Sequence, residues 1–215
     1  MNPGLKPEHG TVFVVDDEEV VRDALAWLLR SRRLLPRTFA SADAFWLAIE
    51  SGDVRADDCA CLLLDMRMPG MNGMALFERL VERGWTDVMP AIFLTGHADV
   101  STAVTAVKRG AFDFVEKPFS DNALVDRVVE ALTRSAQALT AQRTRGEVQG
   151  QLRDLTDREQ EVMHLIVEGR ANKQIADSLD ISVRTVEVHR SRVFDKMGVK
   201  SAVELTNLLR NVGLG

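Results

Sequence analysis

The segment CLLLDMRMPGMNG, residues 61–73, places an aspartate directly after a run of apolar residues and follows it with turn-forming residues. The apolar run covers Cys59–Leu64, which is the length and composition of a strand buried on both faces. The proline and the two glycines behind it, the last of them Gly73, are typical of a turn. The segment therefore predicts a central strand that leads into Asp65, with a tight loop after it.

Four further β-like runs surround this strand, and amphipathic helical patterns separate them. The runs are Thr11–Val15, Leu34–Phe39, Met89–Leu94 and Phe112–Val115. Strands that alternate with helices form a parallel sheet covered on both faces. Residues 1–132 are therefore predicted to be an α/β domain, with a flavodoxin-like, doubly wound, five-stranded parallel sheet of order 2-1-3-4-5.

The rest of the chain has only helical patterns. Residues 153–215 predict a small all-α domain of four helices, about 157–168, 172–179, 182–197 and 201–210. Capping boxes are predicted before the first and the last of these helices, at Thr156 with Glu159 and at Ser201 with Glu204. The polar residues 133–152 predict a linker that extends the preceding helix and becomes flexible near its two glycines, Gly146 and Gly150.

Composition and charge exclude several classes of protein. The 215 residues are 46% hydrophobic and 27% charged, which suits a globular core, and the longest apolar run is far shorter than the roughly 20 residues of a membrane span. The two cysteines, two residues apart on a predicted strand, do not favour a disulfide, so we expect a reducing, cytoplasmic compartment.

The net charge of −5 argues at first against a nucleic-acid partner. However, residues 1–132 hold 14 basic and 21 acidic residues, whereas residues 153–215 hold ten of each. The negative charge therefore belongs to the first domain. Within the second, residues 182–200 have five basic and two acidic side chains.

Polar side chains follow four strands of the predicted sheet, where ligands bind in such folds. They are Asp16 and Asp17, Asp65, Thr95 and Lys117. Three carboxylates at close range would repel one another by roughly 4 kcal/mol per pair, unless a cation such as Mg²⁺ lies among them. An aspartate can accept a phosphoryl group, and a lysine and a hydroxyl can stabilise it there. The pattern predicts a phosphoryl-accepting pocket with Asp65 as the nucleophile.

A helix-turn-helix is predicted near the C-terminus. Ser182 can cap a helix whose apolar stripe, Val186, Val193 and Met197, would face inward. Its outer face is polar and basic, and it is placed to meet base edges and phosphates. The expected DNA contacts are Lys173, Arg184, Thr185, Glu187, Val188, Arg190, Ser191, Arg192, Lys196 and Lys200.

Residues 11–132 resemble a response-regulator receiver domain in the phrases VVDDEE, LLLDMRMPGMNG, FLTGHADV and DFVEKPF. The resemblance implies that Asp65 is the phosphoacceptor and that Thr95 and Lys117 sense the phosphoryl group. It implies Mg²⁺ (or Mn²⁺) as the cofactor. The implied metal ligands are Asp16, Asp17, Asp65 and the backbone carbonyl of Arg67. Phe114 matches the aromatic switch position, and His97 and Arg67 flank the pocket.

Residues 155–205 are similar throughout to the LuxR-type helix-turn-helix, so the whole chain resembles the FixJ/NarL response regulators. This implies a sensor histidine kinase, a double-stranded DNA promoter and RNA polymerase as partners. It also implies a homodimer on phosphorylation, formed through residues 100–109 and 112–116. We do not expect the protein to bind a membrane or to act as an enzyme.

Three other functions remain open at this point. An aspartyl-phosphate phosphohydrolase would usually have a second aspartate two residues after its nucleophile, where this chain has Arg67. A LuxR-type regulator controlled by a small ligand would not need the acidic pocket. A receiver whose output is protein binding alone would not need the basic recognition helix.

Overall fold

A computed structural model describes residues 10–96 and 100–214, and for residues 100–103 only the backbone. His97, expected beside the pocket, lies outside the described residues. Five parallel strands form one sheet in the order β2-β1-β3-β4-β5, which confirms the predicted topology. They are β1 Thr11–Val15, β2 Leu35–Phe39, β3 Ala60–Asp65, β4 Ala91–Thr95 and β5 Asp113–Glu116.

A helix follows each strand, and after the last strand the regular elements of the described chain are all helices. In the first part they are α1 Glu19–Ser31, α2 Ala42–Glu50, α3 Gly73–Glu82, α4 Val100–Lys108 and α5 Asp121–Arg153. In the second they are α6 Asp157–Val167, α7 Asn172–Leu179, α8 Val183–Met197 and α9 Ala202–Asn211. Across the residues with described structure, no helix combines the length and the apolar character needed to cross a membrane.

A separate hydrophobic core covers each face of the sheet, as expected for strands that are apolar on both sides. Phe45, Phe77 and Phe93 lie in one core, and Leu29, Leu63 and Leu124 lie in the other. Strand β2 lies at the sheet edge, which is where a strand tolerates a proline such as Pro36. Both cysteines are buried and free of any disulfide.

Helix α5 runs without a break through the segment predicted as a linker, including both of its glycines. Contacts divide the chain into two compact units, the first ending at Thr140 and the second beginning at Ala141. Ala136 and Leu139 are buried in a core of the first unit, and Val148 is buried in the core of the second. The linker over residues 133–152 remains a prediction. Because Leu139 still packs in the first unit and Val148 already packs in the second, a flexible segment would have to lie between these two residues.

The C-terminal unit has the four predicted helices, and each of their ends lies within one residue of its predicted position. Thr156 and Glu159 form the expected capping box at the start of α6. At the start of α9, Ser201 accepts a hydrogen bond from the Glu204 amide, but the Glu204 carboxylate accepts from the Lys200 amide. The second predicted capping box is therefore wrong in its reciprocal half, because the carboxylate reaches one residue further back.

Candidate functional site

Strand register brings the predicted pocket residues to the same edge of the sheet. Val15 of β1 pairs with Leu64 of β3, so the next residues, Asp16 and the last residue of β3, Asp65, lie side by side at the end of the sheet. On the other flank, Thr95 of β4 pairs with Glu116 of β5, immediately before Lys117. The backbone N–H of Lys117 donates to the carbonyl of Thr95 at 2.7 Å, which fixes the level of the lysine.

Lys117 bridges the two carboxylates at this edge. Its Nζ lies 2.6 Å from Asp65 Oδ1 and 3.0 Å from Asp16 Oδ2. Burial alone would disfavour the charged amine, but the hydrogen bonds and charges of Asp65 and Asp16 outweigh it and raise the pKa of Lys117. The lysine therefore stays positively charged, ready to pair with an anionic group that is added to Asp65.

Asp65 has a second partner that orients its carboxylate. The backbone N–H of Arg67 donates to Asp65 Oδ2 at 2.7 Å, while Lys117 holds Oδ1. Burial raises the pKa of Asp65, against the lowering by Lys117 and by the Arg67 N–H. A more basic carboxylate is a better nucleophile, so this environment suits acceptance of a phosphoryl group.

The expected convergence of three carboxylates is not found. Asp16 is 1% exposed and its Oδ1 accepts from the Glu18 amide at 2.9 Å, whereas Asp17 is exposed. Between residues 10 and 96 and between 100 and 214, no three His, Cys, Asp or Glu side chains form a group that could hold a metal ion. The Lys117 ammonium lies between Asp16 and Asp65 and offsets the repulsion of these two carboxylates, for which the sequence predicts a metal ion such as Mg²⁺.

Thr95 and Phe114, for which the family resemblance implies sensing and switching roles, differ in burial. Thr95 is fully buried, and its hydroxyl donates to the Gly96 carbonyl at 3.3 Å. Phe114 lies opposite Phe93 in the register of β4 and β5 and packs, partly buried, against one core. Contact between Thr95 and a phosphoryl group on Asp65 would require the hydroxyl to leave its present acceptor.

Gly73 has a role that the sequence argument missed. It is the first residue of α3, and its N–H donates to the Met66 carbonyl at 3.2 Å. A Cβ atom added to it would lie 2.1 Å from the Asp65 carbonyl oxygen, far inside contact distance. The interpretation of Gly73 as a turn residue is therefore wrong, because close approach to the backbone of Asp65 is what requires glycine here. Gly70, with a φ of 76°, is the true turn residue.

The predicted recognition helix is α8, and its two faces are divided as expected. Ser182 caps it by accepting a hydrogen bond from the Thr185 amide at 3.1 Å, and the inward stripe is buried. Asp180, in the left-handed conformation with a φ of 52°, ends α7 and forms the turn. The exposed residues of the predicted DNA set are Lys173, Arg184, Glu187, Val188, Ser191, Arg192, Lys196 and Lys200.

The remaining two residues of that set, Thr185 and Arg190, are half-buried. The Arg190 guanidinium lies 5.4 Å from the centre of the Phe194 ring. Lys196, although exposed as a residue, is paired within the domain: Nζ lies 2.6 Å from Glu159 Oε2 and 2.9 Å from the Asp154 carbonyl oxygen. The partners of Lys196 lie on other elements, so spacing along one helix could not indicate them, whereas Arg190 and Phe194 are four residues apart on α8 and are neighbours by helical spacing.

Comparison with known proteins agrees with both halves of this description. The family model for the response regulator receiver domain matches residues 12–129, and the model for the luxR family of bacterial regulatory proteins matches residues 153–209. The C4-dicarboxylate transport transcriptional regulatory protein DctR of Rhodobacter capsulatus is 46% identical over 202 residues, covering 92% of this chain and 98% of that protein.

A second relative and a solved structure are similar over nearly the full length. The transcriptional regulatory protein FixJ of Azorhizobium caulinodans is 42% identical over 208 residues, covering 97% of this chain and 95% of that protein. The structure of the response regulator StyR matches with a TM-score of 0.83 at 39% identity, covering 94% and 98% of the two chains. The chain therefore belongs to the response regulators that combine a receiver domain with a LuxR-type DNA-binding domain, and it is a transcriptional regulator of the FixJ/NarL type.

Proposed function

We propose that Asp65 accepts a phosphoryl group from the phosphohistidine of a sensor kinase. A carboxylate oxygen of Asp65 attacks phosphorus, the P–N bond to the histidine breaks, and the imidazole leaves as the phosphoryl group becomes an aspartyl phosphate. The observation that carries the proposal is the Lys117 ammonium, 2.6 Å from Asp65 Oδ1. It can neutralise the phosphoryl oxygens as they approach an otherwise acidic edge.

Mg²⁺, or Mn²⁺ in its place, fits the donor chemistry of this edge. Two carboxylates bonded to one ammonium lie close enough to share a cation, and hard divalent cations prefer oxygen ligands. Asp16, Asp65 and the Arg67 carbonyl would hold the ion, and Asp17 would join them by turning its exposed side chain inward. When bound, the ion supplies positive charge that stabilises the transferring phosphoryl group.

Phosphorylation is proposed to act through Thr95 and Phe114. The Thr95 hydroxyl would exchange its weak 3.3 Å bond to Gly96 for a phosphoryl oxygen, and the neighbouring Phe114 would repack. Such a change shifts a population only if the phosphoryl group makes better contacts in the active conformation. A charge-assisted hydrogen bond to a hydroxyl donor meets this condition.

The active conformation is proposed to dimerise through α4 and β5. Val104 and Val107 of α4 are 40% and 38% exposed, and they give this helix an apolar surface beside the switch residues. Dimerisation would present two recognition helices to two half-sites, and joining two weak binding events raises affinity through effective concentration. This matters because residues 153–215 have no net charge and only a locally basic segment, so one copy would bind DNA weakly.

The DNA contacts and the remaining partners follow from the same arrangement. The exposed face of α8 would read base edges through Arg184, Glu187 and Val188, with Arg192 and Lys200 among the residues that approach phosphates. RNA polymerase at a promoter is the expected further partner, and the cytoplasm is the expected compartment for a DNA-binding protein with two reduced cysteines.

Beryllofluoride with Mg²⁺, which mimics a phosphoryl group on the aspartate, is expected to shift the chain from monomer to dimer in analytical ultracentrifugation. The same addition should leave Asp65→Asn at the monomer position, since that variant lacks the carboxylate that holds the mimic. An unchanged sedimentation coefficient for the parent chain, at concentrations where the mimic is bound, would rule out dimerisation as the switch.

A further inference from the structure

A buried carboxylate lies under the C-terminal end of the recognition helix. Glu159, in the first turn of α6, is 2% exposed, an unusual position for a charged side chain unless it is paired. Its Oε2 accepts from the Thr156 amide at 3.0 Å and from Lys196 Nζ at 2.6 Å. The hydrogen bond from Lys196 is the main reason that the pKa of Glu159 lies below its ordinary value.

Lys196 reaches a second acceptor that belongs to another element. Its Nζ also donates to the Asp154 carbonyl at 2.9 Å, one residue beyond the end of α5. A single ammonium near the end of α8 therefore joins the α5–α6 junction to the first turn of α6. Because one acceptor is a buried carboxylate and the other a backbone carbonyl, the ammonium ties the last turn of α8 to the α5–α6 junction and to α6.

The first turn of α6 also contacts α7, the first helix of the helix-turn-helix. Arg158, the neighbour of Glu159, donates from Nη2 to the Leu179 carbonyl at the end of α7. Adjacent residues of α6 thus contact the end of α7 and the end of α8. The apolar residues beneath them, among them Val162, Val193 and Met197, belong to one core and set the distance between the helices.

We propose that Lys196 and Glu159 are positioning residues for DNA recognition, with Lys196 orienting α8 from inside the domain rather than binding a DNA phosphate. The proposal rests on the proposed use of α8 as the recognition helix. It replaces the expectation that Lys196 is a phosphate contact. Positioning and phosphate binding differ in a measurable way: loss of a phosphate contact weakens binding to all sequences and lowers the salt dependence by about one ion, whereas misorientation of α8 impairs the discrimination between sequences.

The test uses the full chain, activated with acetyl phosphate and Mg²⁺, and a duplex selected from a random pool by the parent protein. Affinities for this duplex and for a scrambled duplex are measured over a range of salt concentrations. Lys196→Met and Glu159→Gln are expected to lower the ratio of the two affinities to the same extent, and the double variant to lower it no further. Lys196→Arg should retain the ratio. The salt dependence on the scrambled duplex should not change in any of these variants.

Lys200→Met is the matched control, because its exposed side chain extends from the segment just after α8. Lys200→Met should weaken binding to both duplexes by the same factor and lower the salt dependence of binding by about one ion. If Lys196→Met behaves as Lys200→Met does, while Glu159→Gln keeps the parent ratio, the positioning role is wrong. Failure of the activated parent chain to select any duplex from the random pool would instead overturn the proposed function. Thermal unfolding identifies a variant that does not fold. If Lys196→Met is such a variant, the comparison of Glu159→Gln, which should lower the affinity ratio, with Lys196→Arg, which should retain it, tests the proposal.

Discussion

Asp65→Asn is expected to reduce labelling of the chain by acetyl phosphate to background. The amide keeps the size of the side chain and can still accept a hydrogen bond from Lys117, so the fold should survive. It lacks the anionic oxygen that attacks phosphorus, and no acyl phosphate can form on it. Intact-mass spectrometry after incubation with acetyl phosphate and Mg²⁺ measures the loss directly.

Asp53→Asn provides the control for this substitution. Asp53 is an exposed aspartate that pairs with Arg37, outside the set of pocket residues, and its variant should be labelled like the parent chain. Labelling of Asp65→Asn at the parent level would show that another residue is the phosphoacceptor. The function proposed for the pocket would then be wrong, although the fold would stand.

Gly73→Ala is expected to destabilise the receiver domain by about 3 kcal/mol, at the upper end of the cost of overpacking. The added methyl group would lie 2.1 Å from the carbonyl oxygen of Asp65, and backbone cannot turn aside as a flexible side chain can. Thermal unfolding of the fragment that ends at Thr140, one compact unit, is the measurement. The midpoint should fall by about 10 °C. Because the backbone of Asp65 would have to move to make room for the methyl group, phosphorylation of Asp65 should also slow.

Gly96→Ala is the matched control for Gly73→Ala. Among the residues that the structure describes, no atom would lie within 4 Å of a Cβ atom at Gly96, and its backbone is not in the left-handed region. Its midpoint should stay close to that of the parent fragment. Equal midpoints for the two alanine variants would mean that α3 can move away from β3 at little cost, and that close packing does not fix the position of Asp65.

The pocket could be predicted from sequence because the topology of a parallel sheet brings strand ends together. An aspartate just after β1 and another at the end of β3 become neighbours whatever their distance along the chain. The role of Gly73 could not be predicted, since it depends on two backbone segments approaching each other, and a glycine in a Pro-Gly-rich segment resembles an ordinary turn residue. The exposure of Asp17 has no sequence signal either, because two consecutive aspartates after a strand look alike in sequence, and only the fold shows that Asp16 is the buried one that Lys117 contacts.

On the DNA-binding side, periodicity predicted which face of α8 is exposed but not what each side chain contacts. Helical spacing assigns Lys196 to the basic surface, and the residue is exposed, although its ammonium is hydrogen-bonded within the domain. Its partner, Glu159, lies 37 residues earlier and was interpreted only as part of a capping box. A capping carboxylate that is also buried needs a cation, and only the packing of α6 against α8 shows which one.

The central claim is that phosphorylation of Asp65 promotes binding of DNA by the C-terminal domain. The most direct measurement is the affinity of the full chain for its selected duplex, at one fixed salt concentration, before and after treatment with acetyl phosphate and Mg²⁺. We predict that affinity rises by about tenfold or more for the parent chain, a coupling of ordinary size, and does not change for Asp65→Asn. Equal affinities of the parent chain before and after phosphorylation, or the same rise in Asp65→Asn, would contradict the account.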